Sequence, residues 1–150
     1  MPSASQPDGL PSSVKRLYDI FRLYPVPGAE AFCGYCHTPD EIDGYRSTPL
    51  HSLEVDSARA LLWETADHWG TTEAYKHYLP RLLEVLAPPH RMEDLYPAHL
   101  FETLRAHHFR NWPPAERAAI LDYVTTLTPL LAGLTPEDVS EWNEAIKLLE

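Results

Sequence analysis

Apolar residues in this chain recur mostly every three or four positions, and strict alternation is weak. That spacing belongs to helices with one buried face, whereas half-buried strands need a period of two. Val14, Leu17, Tyr18 and Phe21 predict a first helix over Ser13–Tyr24. Ser12 or Ser13 would cap it, and Pro25 and Pro27 would stop it. Val55, Ala58, Leu61, Leu62 and Thr65 predict a second helix over Glu54–His68, closed by Gly70. Thr71 or Thr72 then caps a third, reaching about Ala87. Its stripe is Tyr75, Tyr78, Leu79, Leu82 and Leu86, and Pro80 predicts a kink in its middle.

A fourth helix is expected from Met92, or from Pro97, to His108, and a fifth from Pro113 to Thr126. The run Thr135-Pro136-Glu137-Asp138 starts the last one. It supplies a capping hydroxyl, a proline suited to the first turn and acids facing the positive end of the helix dipole. Between the first two helices, Val26–Pro49 reads as a long irregular loop, and loops of that length are usually functional, metal-tied or disordered. The expectation is an all-α, single-domain, irregular or orthogonal bundle of five to six helices over residues 13–150, preceded by a flexible tail over residues 1–12.

Composition narrows the function classes. With 150 residues the chain can bury a core without disulfide staples. Its formal net charge of -10 and the absence of a basic stripe argue against nucleic acid as a partner. No stretch approaches the roughly 20 apolar residues of a membrane span. No apolar segment suggests a secretory leader, so an acidic cytoplasmic protein is expected.

The chemistry-bearing string is Cys33-Gly34-Tyr35-Cys36-His37. A C-x-x-C pair can supply two of the four tetrahedral ligands of zinc, with His37 and the distant His77 as candidates for the rest. The same spacing serves dithiol redox chemistry, although no βαβ context accompanies it. The string also matches a c-type haem attachment site, but haem attachment takes place outside the cytoplasm and no export signal is expected. Two inert packed thiols account for the string most simply. His77 stands four residues from both Glu73 and Arg81, on the face opposite the apolar stripe, and periodicity predicts that it is exposed. His99 and His107 fall near an apolar arc, where a hydrogen-bonded core histidine is expected. Trp63, Trp69, Trp112 and Trp142 are expected in the core. Asp40, Glu41 and Asp43 read as a solvated acidic loop.

Four segments taken together carry a resemblance. They are Phe32-Cys33-x-x-Cys36, Thr48-Pro49-Leu50, Trp69-Gly70 followed by His77-Tyr78-Leu79-Pro80-Arg81, and Trp112-Pro113. In this order they resemble a family of uncharacterised bacterial proteins whose central helix usually reads His-Phe-Leu-Pro-Arg. This chain differs in having Tyr78, and His51 where an arginine usually follows Pro-Leu. The resemblance implies no reaction. It does suggest that Cys33, Cys36, His77 and Arg81 meet in space.

The leading expectation is therefore a non-enzymatic binding or adaptor module for an unknown protein partner. Its cysteine loop would dock on the Trp69–Arg81 segment, with Cys33, Cys36, His77 and His37 as zinc ligands and Trp69 and Arg81 as binding residues. One alternative is a thiol-redox protein or enzyme using Cys33 and Cys36, with Arg81 as the neighbouring positive group. Another is a purely structural helical protein, homodimeric through an aromatic patch.

Overall fold

The computed structural model describes residues 5–64, 71–86, 97–130 and 135–150, and within them every regular element is helical. Seven α-helices follow in order: α1 (Ser5–Phe21), α2 (Pro39–Ser47), α3 (Val55–Glu64), α4 (Thr72–Glu84), α5 (Pro97–Ala106), α6 (Pro114–Leu127) and α7 (Pro136–Leu149). Short 3₁₀ turns at Ala29–Ala31, Leu50–Ser52, Phe109–Asn111 and Thr128–Leu130 link some of them.

The helix missing from the sequence reading is α2, which lies inside the expected irregular loop. Its start is chemically ordinary. The Thr38 hydroxyl accepts from the Glu41 amide, the Glu41 carboxylate accepts from the Thr38 amide, and Pro39 fills the first turn. Asp40, Glu41 and Asp43 are exposed as expected, but on a helix. The Thr38 amide holds the Glu41 carboxyl below its usual range. The same device opens α7, where Thr135 and Asp138 cap each other as the sequence predicted. Thr71 caps α4 by accepting from the Ala74 amide.

Helix α1 begins at Ser5, upstream of the expected cap. Ser13 is buried within it and donates to Asp122 Oδ2 at 2.6 Å, joining α1 to α6. Helix α1 also packs on α4, α3 on α4 and α5, and α7 on α5 and α6. One apolar cluster runs through these contacts. It includes Leu17 and Phe21 of α1, Leu61 of α3, Tyr75, Leu79 and Leu82 of α4, Leu104 of α5, Ile120 and Tyr123 of α6, and Trp142 of α7. Trp142 meets Phe101 edge-on at 4.9 Å and donates from its indole N–H to the Thr128 hydroxyl at 2.7 Å. Trp112 and Trp142 are core residues as expected, while Trp69, Gly70 and the side chains of Trp63 and His99 lie outside the described residues.

The central element is α4. Its predicted stripe is buried, but so are Ala74, Lys76, Pro80 and Leu83. A helix buried on nearly every side has no solvent face for polar residues, so its polar side chains must find partners inside the protein. None of the described helices is long and apolar enough to cross a membrane.

Candidate functional site

The buried and half-buried polar residues of α4 reach other elements. Lys76, only 7% exposed, places its ammonium 2.7 Å from Glu116 Oε1 on α6 and donates to the Tyr24 hydroxyl at 3.1 Å. The Tyr24 hydroxyl in turn donates to the other oxygen of Glu116, closing a three-membered network. The ammonium also lies 4.5 Å from the centre of the Trp112 ring and 5.0 Å from that of Tyr24. Burial alone would push the Lys76 pKa down, but the bonds to Glu116 and Tyr24 outweigh it and the net shift is up. Burial raises the Tyr24 pKa, and the bond to Glu116 raises it further.

His77 is half-buried rather than exposed, because the chain leaving α1 folds over it. Its Nδ1 lies 2.9 Å from the Tyr24 carbonyl oxygen. A carbonyl can only accept, so Nδ1 carries the proton and the neutral ring is bound in that tautomer. Burial holds the His77 pKa below its usual value against the opposing pull of that bond. Arg81 donates from Nε to the Leu53 carbonyl at 2.8 Å and from Nη1 to Glu84 at 2.8 Å, and Glu84 also accepts from Tyr18 at 2.7 Å. Tyr75 shares a 2.8 Å hydrogen bond with Thr103, and Tyr123 donates to the Leu83 carbonyl. His107 is the expected bonded core histidine. It stacks on Tyr75 at 4.2 Å and pairs with the Thr72 hydroxyl at 3.2 Å. Together these groups tie α1, the Leu50–Ser52 turn, α5 and α6 to α4, and they have the connectivity of a structural hub.

The cysteine turn docks on this hub through aromatic rings. Phe32 is buried edge-on against Tyr78 of α4 at 5.9 Å and stacked on Tyr45 of α2 at 6.1 Å. Burial pushes the Tyr78 phenol up to about 12. His37, 7% exposed, meets the Tyr45 ring edge-on at 5.0 Å and pairs its Nδ1 with the Tyr45 hydroxyl at 3.3 Å. Between these two anchors the His37 amide donates to the Cys33 carbonyl at 3.2 Å, closing one turn. Cys33 is buried and Cys36 exposed, and the two cysteines come within 2.8 Å of each other. Among the described residues no group of three or more His, Cys, Asp or Glu is placed to hold a metal ion. Thus Cys33, Cys36, His37 and His77 are not brought together as a ligand set, and the Arg81 guanidinium is held by Leu53 and Glu84.

A feature absent from the sequence reading is a groove between α5, the Phe109–Asn111 turn and α7, with a volume of about 700 Å³. Phe101, Phe109 and Leu149 form its apolar lining, with Ala145 and the exposed Leu148 beside them. Arg105, His108 and Arg110 stand on one wall, and Glu141 and Glu144 on the other. Arg110 reaches across to the Leu148 carbonyl at 2.6 Å. His108 has a φ of 59°, the left-handed backbone that side chains with a Cβ seldom adopt. That conformation ends α5 and starts the turn forming the groove's end. A local sequence pattern could not reveal a groove whose walls are some forty residues apart in the chain.

No family model matches the chain, and no curated protein or solved structure matches it either.

Proposed function

We propose that this protein is a helical binding module, folded as one domain, whose ligand is a short segment of a partner protein held in the α5–α7 groove. The single observation that carries this reading is the groove itself. Its volume falls within the roughly 300–1,000 Å³ of ligand sites, and its lining is apolar with a few polar groups at the edges. Opposite charges on its two walls favour a segment with an apolar anchor flanked by one acidic and one basic residue, the acid toward Arg105 and the base toward Glu141. The two fixed charges would also set the direction in which the segment lies.

This reading keeps the binding role expected from the sequence but moves it away from Trp69 and Arg81. A zinc-tied cysteine turn is its weaker form, because aromatic packing already accounts for how that turn docks.

The test is selection of binders from a random peptide library on the intact protein, followed by titration calorimetry against Ala145→Arg. That substitution places a guanidinium in the apolar lining. Peptides of the stated pattern are expected, with affinity falling at least about tenfold in the variant while the melting temperature holds. Selected peptides that bind wild type and variant equally well, or no binders at all, would overturn the proposal. Leu148→Asp, at a more exposed position, provides the same readout if Ala145→Arg proves unstable.

A further inference from the structure

The cysteine turn has a chemistry of its own, independent of the groove. Its ends are fixed and its tip is open. Phe32 and His37 are buried against Tyr45 and Tyr78, whereas Tyr35 is fully exposed and a side chain at Gly34 would meet nothing within 4 Å. Within that turn the two thiols are unequal. Cys36 is exposed, whereas Cys33 is only 9% exposed, and the two residues come within 2.8 Å of each other. We infer that Cys33 and Cys36 form a thiol–disulfide exchange site, with the exposed Cys36 as the entering nucleophile and the buried Cys33 as the resolving thiol, acting on an accessible disulfide of a peptide or small thiol.

Attack and release follow from access. The Cys36 thiolate attacks one sulfur of an external disulfide R–S–S–R′, forms the mixed disulfide Cys36–S–S–R and releases R′–S⁻. A large R group is kept from Cys33 because that residue is buried. The Cys33 thiolate then attacks Cys36 Sγ, forms the internal disulfide and releases R–S⁻. In the sum, the dithiol loses two electrons and two protons and the external disulfide becomes two thiols. An excess of a small dithiol runs the sequence backward. The anchored ends matter here. The turn is held in one geometry before reaction, so closing the internal bond orders little additional chain.

The order of the two thiols is the specific content of the inference, and it is testable with oxidised glutathione as the external disulfide. Mass spectrometry of the wild-type protein is expected to show loss of two hydrogens and no retained glutathione. Cys33→Ser should trap one glutathione on Cys36, because the resolving thiol is gone. Cys36→Ser should take up none in the native state. Brief alkylation of the unmutated protein with iodoacetamide gives a check that needs no variant: Cys36 should be labelled well before Cys33. Glutathione retained by the wild type, labelling of Cys33 first, or no reaction at either thiol would each overturn the assignment.

Discussion

Helix α4 and the α5–α7 groove differ in what their polar groups have left to do. On α4, Lys76, His77, Arg81 and Glu84 each contact another element, and each bond is internal to the fold. Around the groove, Arg105 and Glu141 line a concave surface with aromatic rings beneath, while Glu144 pairs with Lys147 at 3.6 Å. The first region carries the conspicuous motif, His77-Tyr78-Leu79-Pro80-Arg81, while the second carries no motif. The difference teaches that chemistry-bearing residue types mark a binding site only when burial and geometry leave them available. A histidine donating to a carbonyl and an arginine donating to another are structural parts.

That contrast can be broken most forcefully at the buried ion pair. Glu116→Ala leaves the Lys76 ammonium buried without its counter-ion, and a loss of about 3–5 kcal/mol is expected from denaturant unfolding. The double variant Lys76→Met/Glu116→Leu, which removes both charges and keeps apolar volume, should recover most of that loss. If Glu116→Ala costs nothing, α4 is not the hub described above. Arg81→Lys keeps the charge but loses the Nε donor to Leu53, and about 1 kcal/mol should be lost.

A smaller effect concerns pH. Burial keeps the folded-state pKa of His77 below its ordinary value of 6.5. As pH falls, the unfolded chain takes up the proton first, so His77's contribution to stability is present above about pH 6.5 and declines as pH falls through the lowered folded value. His77→Gln can still donate to the Tyr24 carbonyl but does not titrate. Its melting temperature should therefore fall less steeply than wild type as pH is lowered through that window. Parallel curves would mean that the ring is not held neutral. The smallest change in stability is expected at the groove rim, where Leu148 is 59% exposed. Leu148→Ala should stay within about 0.5 kcal/mol of wild type while weakening any groove ligand.

The helical class was legible because the period of the apolar residues is strong, and the caps at Thr71 and Thr135 were legible from local chemistry alone. Helix α2 was equally legible in principle. Thr38-Pro39-Asp40-Glu41 carries the same signal as Thr135-Pro136-Glu137-Asp138, but only Ile42 of α2 is buried, so the apolar stripe that usually draws attention is nearly absent. The packing of Phe32 on Tyr78 and Tyr45 was not legible, because these rings announce nothing by spacing. Lys76 gives no local signal, since periodicity places it beside the apolar stripe like any surface lysine. Its partners Tyr24 and Glu116 are 52 residues before and 40 after it, and only the fold joins them. The exposed face assigned to His77 failed for the same reason, since the residues covering it belong to the chain beyond α1.

The most direct test of the central claim compares one selected peptide across three proteins by titration calorimetry: wild type, Ala145→Arg in the groove and His77→Gln on α4. The account predicts unchanged affinity for His77→Gln and a loss of at least about tenfold for Ala145→Arg. Binding that survives Ala145→Arg but is lost in a folded His77→Gln protein would contradict it, and would return the site to α4.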